Sequence, residues 1–554
     1  MSWALAAPLR RVWGTRPRPR PLPPEPAPPA AAPPAPAPTP HQTGPTAKPT
    51  LRDWFGVLAM VCGQFMAIMD VQIVTSSLTQ IQGGLSASPD EISWVQTAYL
   101  IADVVMVPLS GTLSRLLSTR IVFCSAALGF TAASVLCATS TSLGEMILYR
   151  ALQGACGGAI TPLIFPVVYT KFRQPQLGQI MVLISLILNL SSTLGPTIGG
   201  YLTDTLSWHW LFLVNIVPGV LVTATVWFNI DIDKPDLSLL RYFDMTGLVL
   251  MALFLGSLEY ALEEGPRWDW LDDDTVRLAV VVASVASALF FWRVLTYRQP
   301  IVDLRTFRNR NFALGTFYTF IIGTGLYGAT YVIPLFLAQV RGFSAFQIGT
   351  TVVVTGLAQM AMSPFSAWIA RKLDLRIMLA IGMGGFATAM YLTATLTNQA
   401  SFGELLVPQI VRGLALMFCY LPANLISLST LRPDMLKNAA GLYNLTRDLG
   451  GALGLATIGT ILNSRVHFHW NRLIEDVNGA RPVVQHFIEQ QTARLDPLIH
   501  GDPHRAALRL LANLVQREAL VLTFNDVILM MGGLFALGVV MMPLVRHRSS
   551  LMQR

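Results

Sequence analysis

The sequence predicts an all-α membrane protein that crosses the bilayer fourteen times. Three observations lead to this prediction: fourteen apolar stretches of about twenty residues each, a low content of charged residues and an internal repeat. A helix needs about 20 residues to cross the hydrocarbon core, so each stretch is long enough to span it. Lipid cannot satisfy free peptide groups, and spans of this length must therefore be helices rather than open strands.

The apolar stretches follow one another along most of the chain, with short polar connectors between them. The predicted spans are 54–76, 94–114, 120–139, 146–168, 179–202, 209–228, 244–263, 276–294, 312–336, 346–369, 376–396, 404–427, 440–462 and 520–545. Of the 554 residues, 53% are hydrophobic and only 13% are charged. This composition excludes a soluble protein of several domains.

The first 50 residues are rich in proline and alanine, with interspersed arginines, and they lack the apolar core of a signal peptide. We expect a disordered tail, whose arginines either lie against anionic lipid headgroups or belong to an inert extension. The five cysteines all fall inside predicted spans, at Cys62, Cys124, Cys137, Cys156 and Cys419. This placement gives no sign of a disulfide framework or of a paired-cysteine metal site.

The charges of the connectors predict the orientation of the spans. Basic residues fall in alternate connectors, for example Arg115 with Arg120 and Lys171 with Arg173, whereas the opposite connectors are acidic or uncharged. By the positive-inside rule, the basic connectors and both termini are cytoplasmic. The net charge of +8 belongs to these connectors, so it predicts no nucleic-acid partner.

An internal repeat divides the chain into two halves. The segment PLSGTLSRLLSTRIV from Pro108 aligns without gaps to PFSAWIARKLDLRIM from Pro364. A second match relates span 4 to span 12, pairing Glu145 with Glu404 and Gly154 with Gly413. The alternative is chance similarity among apolar segments. The predicted parts are a tail at 1–50, a six-helix half at 51–228, two inserted helices with a linker at 229–311, a six-helix half at 312–545 with a periplasmic loop at 463–519, and a tail at 546–554.

Three spans carry motifs of a known family. Span 4 contains LYRALQGACGG, with Arg150 and Gln153 at the polar positions of an R-x-x-Q-G motif. Span 5 ends in LGPTIGGYL, similar to a GP-x-x-GG motif, and span 1 contains MDVQIVTSSL, with Asp70 as the aspartate of its motif. Over residues 50–545 the chain resembles the fourteen-helix drug:proton antiporters of the EmrB/QacA type in the major facilitator superfamily. The connector QPIVDLRTFRNRNFALG and the loop at 463–519 resemble the EmrB branch.

The resemblance implies a packing role for the glycines of span 5, where the motif residues are Gly195, Pro196, Gly199 and Gly200. Glycine lets helix backbones approach closely, and proline removes a hydrogen-bond donor and bends the helix. In antiporters of this type such packing is taken to seal the outward leak pathway. Plain close packing is a compatible alternative.

The connector after span 2 and the ends of the two spans beside it hold Gly111, Arg115 and Arg120, which the resemblance implies to be a cytoplasmic gating loop. Family members usually read G-x-L-a-D-r-x-G-R in this connector. Here Arg115 replaces the aspartate and Ser118 replaces the second glycine. This departure argues against the usual charge relay of the loop.

The resemblance implies an exporter of hydrophobic, often toxic, compounds in the bacterial inner membrane. It would work by alternating access, with the proton motive force as its energy source and no cofactor. An exporter of a siderophore, a fatty acid or a lipid is the alternative within the superfamily. The sequence contains no P-loop, so no ATP is implied. An enzyme is disfavoured because the histidines lie outside the spans, with His209 at the mouth of span 6, and the sequence contains no HExxH or G-x-S-x-G motif.

The resemblance also implies a periplasmic membrane-fusion adaptor and, through it, an outer-membrane channel. The loop before span 14 has two amphipathic patterns, formed by Val484, Ile488, Gln491 and Leu495, then by Leu508, Leu511 and Val515. These patterns predict either a docking surface for the adaptor or helices that lie on the outer leaflet.

Charged residues inside the spans are the candidates for function, because each costs about 2.5–3.5 kcal/mol at the centre of a membrane helix. At 1.5 Å per residue, Asp70 and Arg150 lie roughly 9 Å and 6 Å from the periplasmic face. Their shared depth predicts a proton-coupling pair, with a static ion pair as the alternative. Asp103, roughly 13 Å into span 2, is either a second proton or cation contact or a packing residue. Glu259 and Glu263, near the outer end of span 7, are expected at the interface, with a functional role as the alternative.

The second half has its own charged candidates. Arg412 aligns with Gln153 across the repeat, while Arg447 and Asp448 lie about two turns into span 13. We predict that these four residues line the substrate cavity. Adjacent residues on a helix point in different directions, so Arg447 and Asp448 are expected to serve different surfaces.

Overall fold

The computed structural model describes residues 49–88, 91–173, 176–297, 300–343, 345–432, 435–477, 481–497 and 502–544. Within these ranges the chain forms seventeen α-helices, four short 3₁₀-helices and no β-strand. Apart from residues 49 and 50, the predicted tails at 1–50 and 546–554 lie outside the described residues.

The helices fall into a first group, an inserted pair and a second group. The first group is α1 (Leu51–Ser76), α2 (Leu78–Leu85), α3 (Trp94–Leu117), α4 (Thr119–Ala138), α5 (Leu143–Lys171), α6 (Gln176–Thr205), α7 (Trp210–Leu213) and α8 (Ile216–Asn229). The inserted pair is α9 (Met245–Glu264) and α10 (Asp274–Thr296). The second group is α11 (Arg310–Gln339), α12 (Ala345–Ile369), α13 (Leu375–Thr393), α14 (Phe402–Leu428), α15 (Leu436–Asp476), α16 (Pro482–Leu495) and α17 (Pro503–Val540). We call the end of the bundle where α1 begins and α3 ends the basic end, and the opposite end the loop end.

Twelve helices of the described residues are long and apolar enough to cross a membrane. Predicted spans 5 and 13 correspond to α6 and α15, which are not among the twelve, although they have 30 and 41 residues. α15 carries Arg447 and Asp448, which lower its apolar character. The twelve helices together with α6 and α15 are consistent with the predicted fourteen.

The predicted loop at 463–519 is largely helical where it is described. α15 continues to Asp476, α16 covers the first amphipathic pattern and α17 begins at Pro503. On α16 the four residues of the first pattern are all partly buried, as an amphipathic helix requires. On α17, Leu511 is partly buried and Val515 is buried, whereas Leu508 is 42% exposed, because the packed face of this helix runs through Ala507, Leu511 and Val515.

Two helices related by the repeat start with similar caps. Ser142 precedes α5 and Ser401 precedes α14, and each is followed three residues later by glutamate. The backbone N–H of Glu145 donates to Ser142 Oγ at 3.3 Å, and the backbone N–H of Ser401 donates to Glu404 Oε2 at 3.3 Å. Such caps satisfy the free N–H groups of a first helical turn. The glutamates matched by the repeat therefore occupy equivalent positions in their helices.

Apolar packing joins the two groups of helices at the basic end. One buried cluster around Phe123 extends from the first group into α14 and α15, where it includes Leu425 and Leu436. A second cluster has all its buried members between Tyr318 and Met542, within the second group. A third, smaller cluster lies within the first group at the loop end. The apolar cores of the two groups are therefore continuous at the basic end and separate towards the loop end.

The inserted pair covers a seam between the two groups. α9 packs against α10 and also contacts α3 and α15. In the connector between α9 and α10, Arg267 Nη1 donates to Ser93 Oγ at 3.0 Å, and Trp270 Nε1 donates to Thr460 Oγ1 at 2.8 Å. This connector is thus bonded to both groups at the loop end.

Candidate functional site

Asp70 and Arg150 are in direct contact, as their shared depth predicts. Arg150 Nη1 donates to Asp70 Oδ2 at 2.7 Å, while Gln153 Nε2 and Asn215 Nδ2 donate to Asp70 Oδ1 at 3.0 and 2.7 Å. All four side chains are fully buried. Because Asp70 lies on α1, its arginine and glutamine partners on α5 and Asn215 between α7 and α8, one carboxylate joins three segments of the chain.

Arg150 is held by neutral partners as well as by the carboxylate. Its Nε donates to the backbone carbonyl of Val95 at 3.1 Å, and its Nη1 also donates to Gln153 Oε1 at 2.7 Å. The guanidinium carbon lies 4.3 Å from the ring centre of Tyr99. Electrostatic interactions are strong between fully buried groups, so a change in the charge of the carboxylate alters the whole network.

Three polar residues of this network were placed elsewhere or missed by sequence reasoning. Gln153 was assigned to the substrate cavity, and the structure places it against Asp70. Asn215 was missed, although a single amide inside the apolar stretch WLFLVNIVPG is a signal. Ser134, which accepts from Gln153 Nε2 at 2.8 Å, gave no signal because serine in a membrane helix usually bonds its own backbone, as it does here with Phe130.

Asp103 lies apart from this network. Its side chain is partly exposed on α3, and Arg447 and Asp448 of α15 lie within electrostatic range. Glu259, which was expected at the interface, is only 6% exposed and lies within electrostatic range of Asp103 and Asp448. The expectation for Glu259 is wrong because α9 turns this side chain towards α3 and α15, whereas Glu263 is partly exposed.

Arg447 and Asp448 pair with each other. Arg447 Nε and Nη2 donate to Asp448 Oδ1 at 3.2 and 3.0 Å, and the hydroxyl of Tyr327 on α11 donates to the same oxygen at 3.3 Å. The expectation that the two neighbours serve different surfaces is wrong. Although their Cβ atoms diverge, the guanidinium is long enough to fold along the helix onto the adjacent carboxylate.

Arg412 lies inside the second group, where α12 and α14 pack together. Its Nη2 donates to Thr355 Oγ1 at 2.7 Å and to Gln409 Oε1 at 2.9 Å. It is 5% exposed, and no carboxylate of the described residues forms an ion pair with it. The four residues that were predicted to line one cavity therefore lie in three separate places.

α6 packs against α1 and α12. A Cβ at Gly195 would collide with the Gln72 side chain of α1, so glycine is required for this approach. Of the other motif residues, Gly199 is buried and Gly200 partly exposed, and the side chain of Pro196 lies outside what the structure describes.

The last turns of α3 meet α15 at the basic end. A Cβ at Gly111 would lie 2.6 Å from the backbone carbonyl oxygen of Lys437, so this position requires glycine. Arg115 and Lys437 line one cavity, together with residues of the connectors that follow α8 and α10. The guanidinium of Arg120 lies 5.3 Å from the ring centre of Trp227 on α8. Gly111 and Arg115 therefore lie against the second group, and Arg120 lies against the first.

Together, the membrane-length helices and the buried charge networks inside two groups of helices define a transporter of the two-half type. Comparison with known families agrees: the model of the Major Facilitator Superfamily matches residues 60–455. The chain belongs to this family, and its relatives place it with the EmrB-type drug transporters.

The curated relatives cover nearly the whole chain. The colistin resistance protein EmrB of Acinetobacter baumannii is 38% identical over 483 residues, which are 87% of this chain and 94% of the relative. The multidrug export protein EmrB of Escherichia coli K12 is 29% identical, over 86% of this chain and 92% of its own. The fatty acid resistance protein FarB of Neisseria gonorrhoeae is 25% identical, over 90% and 97%. The chain is thus an efflux transporter of the superfamily.

Two solved structures share the fold. The human organic anion transporter MFSD10 superimposes with a TM-score of 0.54 at 14% identity, over 87% of this chain and 99% of its own. The proton:xylose symporter XylE superimposes with a TM-score of 0.54 at 12% identity, over 88% and 95%. These likenesses show that the chain shares the fold of these two proteins, and its apolar helices are those of a multi-pass membrane protein.

Proposed function

We propose that this transporter exports hydrophobic, often toxic, compounds across the bacterial inner membrane in exchange for inward-moving protons. Access to the cargo alternates between the two faces, and the proton motive force drives the cycle without a cofactor. The carboxylate of Asp70, fully buried and held by one arginine and two amides, is the observation that carries this proposal. In this proposal both termini are cytoplasmic, so the basic end is the cytoplasmic side.

Protonation of Asp70 changes three contacts at once. A neutral carboxyl group can still accept hydrogen bonds from Gln153 and Asn215, but it loses its attraction for the guanidinium of Arg150. The proton therefore weakens the hold of α1 on α5. Protons and cargo compete if they favour opposite states of the cavity, because a ligand shifts only an equilibrium for which it has differential affinity. A static ion pair is the alternative role.

Alternating access requires the contacts at the basic end to break. Here Lys437 of α15 forms an ion pair with Asp233, which follows α8. Tyr169 of α5 donates from its hydroxyl to Asn424 Oδ1 of α14 at 2.9 Å. These contacts support assignment of the structure to a state closed to the cytoplasm.

The decisive experiment measures proton release from detergent-purified protein when ethidium, tetraphenylphosphonium or decanoate is added. We expect release from the wild type and none from Asp70→Asn. Asp244→Asn is the matched control, because Asp244, which precedes α9, is another buried aspartate and pairs with a partly exposed arginine, Arg293 of α10. Asp70 is not the coupling site if Asp70→Asn releases as many protons as the wild type. Asp103→Asn tests the second candidate in the same assay.

The name of one relative, FarB, suggests a second class of compound that this transporter exports. That relative is a fatty acid resistance protein, which supports export of a fatty acid, a lipid or a siderophore as the alternative. In the proton-release assay, a response to decanoate without a response to the two organic cations, ethidium and tetraphenylphosphonium, favours this alternative.

We also propose that the helices beyond the membrane bind a periplasmic adaptor that leads to an outer-membrane channel. The loop ends of α15 and α17 extend past the predicted spans, and α16 packs on α17. Large apolar side chains remain exposed on these helices, namely Phe468, Ile474, Val483, Leu510 and Leu514. An exposed apolar surface on helices that stand outside the lipid supports a protein partner.

A further inference from the structure

Arg412 is a buried cation with incomplete bonding. Within the described part of the chain only its Nη2 forms hydrogen bonds, both to neutral groups, whereas Nε and Nη1 are buried without a partner. Gln359, one helical turn beyond Thr355 on α12, is fully buried, and neither its Oε1 nor its Nε2 has a partner. Unbonded donors of a cation and of an amide therefore occur on facing helices of the same group.

The repeat shows what is missing around Arg412. In the first group, Arg150 Nε donates to the carbonyl of Val95; in the second group, Gln409 Nε2 donates to the carbonyl of Thr351 at 2.8 Å. Gly154 packs on the backbone of Tyr99 as Gly413 packs on that of Thr355. At the matched positions the two residue types are exchanged: Arg150 corresponds to Gln409, and Gln153 corresponds to Arg412. In the first group the arginine pairs with a carboxylate, whereas in the second group no carboxylate of the described residues pairs with it.

A buried guanidinium without an opposite charge is strongly unfavourable, because desolvation is not compensated. An arriving anion with two oxygens fits the free N–H groups of a guanidinium in the same plane. The geometry points to Arg412 as the binding site for one carboxylate group, which belongs either to the cargo or to a small free anion such as formate. The cargo source depends on the proposed export function; the free-anion source does not.

Binding of decanoate and of the uncharged decanamide to the purified wild type tests the site. We expect tighter binding of decanoate, and a loss of about tenfold or more in its affinity in Arg412→Gln, because a charged hydrogen bond is removed. The affinity for decanamide should not change. Arg412→Lys keeps the charge and should retain part of the preference. Arg465→Gln, on the loop-end extension, is the control for loss of a positive charge.

A second pair of variants keeps the test decisive if Arg412→Gln does not fold. Thr355→Asp places a carboxylate where Thr355 now contacts Arg412, and Thr355→Asn is its neutral isostere. We expect Thr355→Asp to fill the site from within, so that decanoate loses its advantage over decanamide and the melting temperature rises. Thr355→Asn should keep the preference.

Replacing sodium chloride with sodium formate at constant ionic strength separates the two sources. Formate that raises the melting temperature of the wild type, but not of Thr355→Asp, identifies a free anion. A decanoate preference without a formate effect identifies the cargo carboxylate. The inference is overturned if neither the effect of formate nor the preference for decanoate changes in the Arg412 and Thr355 variants. These are equilibrium measurements without a proton gradient, so their failure leaves the Asp70 proton-release experiment unaffected, and the reverse also holds.

Discussion

Asp233, in the connector after α8, forms an ion pair with Lys437, at the start of α15, and so joins the two groups of helices at the basic end. Asp233 also accepts from the backbone N–H and the hydroxyl of Thr119 at 3.0 and 2.9 Å. Lys437 Nζ donates in addition to the backbone carbonyl of Ser114 at 3.1 Å. Asp233 thus supplies a carboxylate to a connector in which Arg115 replaces the aspartate of the family pattern.

We expect Asp233 and Lys437 to be energetically coupled. Their side chains are 19% and 17% exposed, and the coupling energy should be about 1 kcal/mol, at the upper end for partly exposed pairs. The measurement is a double-mutant cycle of thermal unfolding with Asp233→Asn, Lys437→Gln and the double variant. Asparagine at position 233 can still accept a hydrogen bond from Thr119, so the cycle measures the contribution of the ion pair with Lys437. Strict additivity of the two single changes would show that the pair contributes nothing.

Ser118 occupies a conformation that suits glycine. Its φ is 82° and its ψ is 150°, a region that costs other residues about 1–3 kcal/mol. Ser118→Gly should therefore raise the free energy of unfolding by about 1 kcal/mol. This gain remains although the change removes the helix cap, in which the N–H of Ile121 donates to Ser118 Oγ. Thermal unfolding of the purified variants checks this, with Ser118→Ala as the control that keeps the strain and loses the cap. A glycine variant no more stable than the wild type would contradict it.

Two glycines of α5 should respond oppositely to alanine. A Cβ at Gly154 would overlap the backbone of Tyr99 on α3, whereas a Cβ at Gly144 meets no atom within 4 Å. We expect Gly154→Ala to destabilise the protein by about 1–3 kcal/mol, because backbone atoms must move apart. Gly144→Ala should be neutral or stabilising by up to about 1 kcal/mol, since alanine favours helix. Equal melting temperatures for the two variants would contradict the close approach of α3 and α5.

The exposed apolar face of α17 should be needed for the adaptor but not for transport. We expect Leu510→Glu with Leu514→Glu, combined with replacement of α16 by a glycine-serine linker, to abolish co-purification with a periplasmic adaptor. Uptake of ethidium into inverted vesicles should persist, because the changes lie outside the spans. Arg505→Glu, at an exposed position of the same helix, is the control for added negative charge. Retained co-purification would count against this docking surface.

Features that each segment carries by itself could be predicted. A span must be long and apolar whatever its neighbours are, so the membrane helices could be predicted from hydrophobicity alone. Depth is equally local, because every helical residue advances about 1.5 Å. That is why Asp70 and Arg150 could be matched before any contact was known.

Features that depend on the rotation of a helix could not be predicted. Glu259 was expected at the interface, but α9 turns it towards two neighbouring helices. Arg447 and Asp448 were separated by the geometry of their Cβ atoms, yet a long side chain overcame it. Contacts between distant segments of the chain could not be predicted either, as the ion pair of Asp233 with Lys437 shows.

From the amino-acid order alone come the membrane helices, the basic end and the depth that pairs Asp70 with Arg150. Folding in three dimensions decided that Asn215, 145 residues from Asp70, completes that network, and that no carboxylate of the residues described by the structure pairs with Arg412. Burial in lipid acts on each segment independently of the others, whereas contacts between remote side chains arise only when helices choose which faces to pack together.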